Sequence, residues 1–132
     1  LALGSAELAL RDARLTPDAY DPFERGVIAG TALGGWRDGE QQYGILLERG
    51  ARRVNPFVAN GAPNHTAGVE VAALLGARGP QATYSSGCPS SLQAIAHAAA
   101  LVRAGELSMC LAGGYEAPLG PLVFAGLTRT QE

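Results

Sequence analysis

The sequence predicts an α/β layered fold with a largely parallel sheet, on the strength of two observations. Short apolar segments alternate along the chain with longer stretches of helical spacing, and those segments lack the in–out alternation of a strand with one wet face. At 132 residues the chain has room for one hydrophobic core and too little for two typical domains. No linker or internal repeat divides it.

The elements follow in order. Residues Ala6 to Ala13 have helical spacing and good helix formers, and Leu15-Thr16-Pro17 ends the run. Gly26 to Gly30 reads as a buried strand, followed by a turn at Gly34-Gly35. From Trp36 to Glu48 the residues Trp36, Tyr43, Leu46 and Leu47 share roughly one helical face, with Gly50 as the stop. After a loop at Asn55-Pro56-Phe57, Asn64 is a candidate cap for a helix over Thr66 to Leu75, ended by Gly76 and Gly79-Pro80. Gln81 to Ser85 reads as a strand. Pro89 to Ala104 is apolar almost all round and reads as a buried helix, with Gly105 as its C-cap and Arg103 in its last turn. Met109 to Ala112 reads as a further buried strand, stopped by Gly113-Gly114.

Composition narrows the function classes. Apolar residues make up 47% and charged residues 17%, which excludes a disordered chain. A net charge of −2 gives no electrostatic ground for nucleic acid or an anionic membrane as partner, and all ten basic residues are Arg. No apolar run is long enough to span a bilayer, and Leu1 to Leu10 carries Glu7 without a basic leader, unlike a signal peptide. Two cysteines make no disulfide framework, so a reducing, cytoplasmic setting is expected. The chain begins inside a helical pattern without Met and reads as a piece of something longer. Asp12, Asp18 and Asp21 lack metal-ligand spacing, so no metal is expected.

The informative place is Ser85-Ser86-Gly87-Cys88-Pro89-Ser90-Ser91. Cys88 lies between a strand and a helix, with Pro89 where a helix accepts proline without losing a hydrogen bond. At a helix N-terminus, unpaired N–H groups and the dipole favour thiolate over thiol, and Gly87 allows a sharp turn. A nucleophile at the corner of strand, tight turn and helix suits acyl transfer. Spacing alone leaves a second reading open, that Cys88 is a small buried packing residue. Cys110, inside an apolar strand, is read as packing.

From about Arg25 onward the chain resembles the β-ketoacyl-acyl-carrier-protein synthases, the elongating condensing enzymes, in the order and spacing of five motifs. Gly26 to Thr31 with Gly34-Gly35 resembles the family's first strand and glycine-rich turn. Val54 to Phe57, Pro63-Asn64 and Ala67-Gly68 resemble its S-P-F and N-x-x-A-G stretches, and Gly76 to Pro80 its G-x-x-G-P. Ser86-Gly87-Cys88-Pro89-Ser90 stands where the family has T-A-C-A/S-S/G, and Leu111 to Glu116 matches its A-G-G-x-E segment. Gly before the cysteine and Pro after it are departures that bear on pocket shape and reactivity. Retention of Cys88 argues against the chain-length-factor relatives that lack it.

The resemblance implies the thiolase-like α/β/α/β/α fold, with residues 1–132 forming a partial N-terminal domain that holds most of the first half. It implies that Cys88 takes an acyl group from acyl carrier protein or coenzyme A and condenses it with malonyl-ACP, without a cofactor. The Cys88 N–H would be one oxyanion donor. The family's two histidines and catalytic lysine belong to the C-terminal half, and this chain has no Lys. His65 and His97 match neither histidine and are read as structural, so this piece alone is not expected to complete a condensation.

Ala62 falls near a stretch that lines the acyl pocket in related synthases, and an ordinary loop alanine is its competing reading. Arg49, Arg52 and Arg53 are read as a docking surface for the acidic carrier protein or as a solvated helix end. Glu116 is read as structural. A homodimer is implied, with Gln81 to Ser85 at its interface. Two alternatives remain: a thiolase or initiation-type condensing enzyme, and a non-catalytic synthase-like subunit.

Overall fold

The computed structural model describes residues 1–130. Its three strands, β1 (Arg25–Gly30), β2 (Gln81–Tyr84) and β3 (Met109–Gly114), form one parallel sheet in the order β2-β1-β3. The helices are α1 (Ala2–Ala13), α2 (Trp36–Arg49), the single turn α3 (Val58–Gly61), α4 (Thr66–Leu74), α5 (Ser90–Arg103) and α6 (Pro121–Arg129).

The strand pleat sorts the core into two clusters. Val27 of β1, with Met109 and Leu111 of β3, faces Ala6 of α1 and Val71 and Leu75 at α4. Ile28 of β1, with Cys110 and Ala112 of β3, faces Ala94 and Ala98 of α5. Both faces of β1 are covered and all six of its residues are buried, which is why its sequence shows no polar alternation. The described layers are therefore helix, sheet, helix, as the alternation of segments predicts. Alanine at positions 94 and 98, one turn apart, lets α5 lie close upon the sheet.

Arg25 is the one charged residue in this buried set. It donates from Nε and Nη2 to the Tyr20 carbonyl (2.9 and 2.6 Å) and from Nη1 to the Leu75 carbonyl (2.9 Å). Leu75 ends α4, where the helix dipole is negative, so the guanidinium ties the segment before β1 to that helix end.

Two expectations are corrected, for α5 and for Asn64, and the surroundings of the α2 stripe, which the sequence left open, are now seen. The apolar stripe Trp36, Tyr43, Leu46 and Leu47 of α2 is solvent-facing or partly so, and no α2 residue is buried. The sheet faces are already taken by α1, α4 and α5, and α2 packs instead on α3 and the turn after its own end. The helix α5 is not buried all round: it seats Ser90, Ala94 and Ala98 on the sheet and turns Leu92, Ile95 and Val102 outward. Asn64 does not cap α4, because its side chain is used elsewhere. The helices α3 and α6 were not read from the sequence.

Candidate active site

Because the strands are parallel, their C-terminal ends share one edge, with Gly30 of β1 in register with Tyr84 of β2 and Gly114 of β3. From Tyr84 the chain turns through Ser85 to Pro89 into α5. Gly87 has φ +79°, a conformation that favours glycine over the alanine expected there by resemblance. The turn is held from below by Ser90, which is only 2% exposed. Its hydroxyl accepts from the Ser86 N–H (2.9 Å) and donates to the Gly87 carbonyl (2.6 Å), while its own N–H also donates to that carbonyl (3.1 Å). Ser86 is further fixed by a hydroxyl contact with Gln93.

The head of α5 can rest on the sheet only because two facing strand positions lack side chains. A Cβ on Gly30 would lie 2.5 Å from the Ser90 carbonyl carbon and 2.6 Å from the Ser91 nitrogen; one on Gly114 would strike the Ser91 side chain. This seat places Cys88 at the sheet's C-terminal edge, where open α/β sheets bind their ligands. Cys88 is exposed rather than packed within this chain, and among the described residues no acceptor takes its N–H. Pro89 precedes the first helical residue, Ser90, and so lies one position earlier than expected.

The other residues singled out by sequence are elsewhere. Cys110 is half-buried in β3 against Ile28 and Ala94 of the core, and burial pushes its thiol above the ordinary value. His97 lies 3.1 Å through Nδ1 from the Tyr84 hydroxyl, with the rings edge to face, and so locks α5 to β2. His65 is exposed at the start of α4 and makes no cap bond. Ala62 ends α3 and packs on the first turn of α2, where Gly35 leaves no room for a Cβ beside the Ala62 backbone. Arg49, Arg52 and Arg53 are exposed at and just beyond the end of α2.

A cavity of about 230 Å³ lies under α1, between Ala6 and Ala9 on one side and Val27, Val71 and Leu111 on the other; neither Cys88 nor Ala62 lines it. Four segments meet at the C-terminal edge through residues that local pattern did not reveal as partners. Asn64 Nδ2 donates to the Ser85 hydroxyl (2.6 Å), and the Tyr115 hydroxyl donates to the Asn64 carbonyl. The Glu116 carboxylate accepts from the N–H groups of Ala32 (2.6 Å) and Leu33 (3.1 Å). These bonds join residues 21 to 84 positions apart, so only the fold brings them together.

Superposition on solved ketosynthases places this parallel sheet, with its turn-borne cysteine heading a close-packed helix, in the N-terminal part of the thiolase-like fold. Over residues 1–131 the chain matches the model of the β-ketoacyl synthase N-terminal domain, and it belongs to that family. The match therefore includes the residues before Arg25, where the motifs are weakest.

The chain is 35% identical over 130 residues to a Streptomyces halstedii protein assigned as a polyketide β-ketoacyl synthase, covering 94% of this chain and 31% of that one. It is 34% identical over 125 residues to 3-oxoacyl-[acyl-carrier-protein] synthase 2 of Synechocystis sp., covering 95% and 30%. Among solved structures, a type II polyketide ketosynthase in complex with its acyl-carrier protein superposes with a TM-score of 0.89 at 29% identity, covering 96% of this chain and 36% of that one. The chain thus spans 30–31% of the length of these two curated relatives.

Proposed function

We propose that this chain supplies the nucleophile half of a 3-oxoacyl-acyl-carrier-protein synthase, with Cys88 as the residue that carries the acyl group. The Cys88 sulfur attacks the carbonyl of an acyl thioester, and the carrier thiol leaves with the proton. A malonyl thioester then loses CO2. Its enolate carbon attacks the acyl carbonyl, and the Cys88 thiolate departs, leaving a 3-oxoacyl thioester two carbons longer. The unengaged Cys88 N–H serves as one oxyanion donor, already oriented by the Ser90-held turn. By resemblance to the family, the groups that drive decarboxylation belong to the remainder of the synthase, and His97, hydrogen-bonded to Tyr84, is not assigned that role.

The observation that carries this reading is the exposed cysteine on a turn tied by a buried serine, at the edge where the strands end. Acyl carrier protein is the proposed partner, docking in part on Arg49, Arg52 and Arg53, whose charge complements an acidic surface. The relatives include fatty-acid-type and polyketide synthases, so the acyl donor is assigned only as a carrier-bound thioester. A homodimer through β2 is consistent with its place at the edge of the described sheet.

The test is condensation by the full-length protein with acyl and malonyl carrier thioesters. Cys88→Ala is expected to lower the rate on the order of 10³-fold or more, whereas Cys110→Ala is expected to keep most of it. Condensation that survives Cys88→Ala would remove Cys88 from the mechanism, and a wild-type protein without condensing activity would favour a non-catalytic subunit.

A further inference from the structure

The turn that bears Cys88 is held not only from below by Ser90 but also from the side, through the turn after β1. Glu116, two residues past β3, directs its carboxylate into that turn. Oε2 takes the N–H groups of Ala32 and Leu33 (2.6 and 3.1 Å), and both oxygens lie 3.3 Å from the Thr31 hydroxyl. Thr31 is buried, and its hydroxyl accepts from the Gly34 N–H (3.0 Å). The turn so wrapped reaches the Cys88 segment twice: the Thr31 N–H donates to the Tyr84 carbonyl (3.0 Å), and the Ala32 carbonyl accepts from the Ser85 hydroxyl (3.4 Å). On its far side, Gly34 (φ +53°) is pressed against Asn64, whose amide also holds Ser85.

We propose that Glu116 is a positioning residue for Cys88, acting through the 31–34 turn and Ser85 to fix where the cysteine turn leaves the sheet. The chemistry of the site favours a carboxylate in particular. Its neighbours present two N–H groups and one O–H, all donors, and an ionised carboxylate is the side chain that only accepts. Glutamine would fit the space and keep its oxygen on the Ala32 and Leu33 N–H groups, with its NH2 group toward the Thr31 hydroxyl, so it removes the negative charge that strengthens these bonds rather than the bonds themselves. This inference rests on the reading of Cys88 as nucleophile only for its functional meaning; the clasp itself is a matter of local geometry.

The experiment is site-resolved alkylation with iodoacetamide in the full-length protein, read by peptide mass spectrometry, for wild type, Glu116→Gln, Ser85→Ala and the double variant. Cys110 serves as an internal monitor, because this half-buried thiol labels faster if the domain opens. The expected result is a roughly three- to tenfold slower Cys88 reaction in each single variant, the kinetic equivalent of one ordinary hydrogen bond. Cys110 labelling is expected to stay unchanged, and the double variant to be no slower than the slower single one, since both act through one turn. A role in stability alone would lower the melting temperature and leave Cys88 in the folded protein at its wild-type rate, which overturns the proposal. Effects that multiply in the double variant also overturn it. If Glu116→Gln opens the domain, Ser85→Ala, which removes no charge, decides by the same criterion. The ratio of variant to wild type tests the clasp, whereas the absolute wild-type preference for Cys88 over Cys110 tests the nucleophile reading.

Discussion

The two cysteines are one residue type in opposite situations, and the difference is set by the strand and the turn that carry them. Cys88 stands exposed on a glycine-opened turn, while Cys110 lies half-buried between β3 and α5. Burial raises the Cys110 thiol, partly offset by a backbone hydrogen bond at Ile28. A group whose folded value lies above its unfolded one stabilises the protein below the unfolded value and loses that contribution as pH rises through the folded value. Urea stability is therefore expected to fall as pH climbs above the ordinary thiol value of 9.0, and Cys110→Ala to flatten that part of the profile. Identical slopes for the two proteins above pH 9 would show that Cys110 is not the group responsible. Tyr115, also raised by burial first and by the Glu116 charge second, adds its own loss only above 10.0. At this scale the sequence made Cys88 legible through its neighbours Gly87 and Pro89. The roles of Ser90, Arg25 and Asn64 were not legible, because each depends on side-chain bonds to backbone or side-chain groups that the fold delivers.

Among the elements, the seating of α5 does most to place the site. Gly30 and Gly114 face each other in the parallel register, and each lies against the first turn of that helix. Gly30→Ala sets a methyl group against the backbone of Ser90 and Ser91, which cannot swing aside as a side chain can. The expected cost is about 1–3 kcal/mol in urea unfolding, with a slower Cys88 reaction in the fraction that remains folded. Unchanged stability would mean that the head of α5 does not rest against Gly30. The apolar runs for β1 and β3, the strand at β2 and the helices at α1, α4 and α5 were readable, because period and composition are local. What the stripe of α2 faces was not readable, since an amphipathic stripe does not say whether the sheet still has a free face to offer it. The helix α6 was missed: Pro118, Gly120 and Pro121 suggest a loop, yet Gly120 and Pro121 are its N-cap and first residue. Its Leu122 N–H is satisfied by Glu40 of α2 at 2.7 Å, a cap supplied from 82 positions away.

For the molecule as a whole, the outward face of α5 is the largest departure from what its composition suggests. Leu92, Ile95 and Val102 are 69%, 49% and 43% exposed, on the helix whose opposite side forms half the core. Contiguous apolar surface of this kind drives association. The 132-residue chain expressed alone is expected to self-associate in light scattering, and Leu92→Glu with Ile95→Glu to reduce that association without lowering the melting temperature. A monomeric wild-type chain would show that this face tolerates water. Acyl loading of Cys88 is measured most directly by incubating the full-length protein with an acyl carrier thioester, omitting the malonyl partner, and mapping the adduct by peptide mass spectrometry. The expected product is one acyl group, on the peptide containing Cys88, that is released by hydroxylamine and absent from Cys88→Ala. An unmodified Cys88, or an acyl group carried on Cys110 or any other residue, would contradict it.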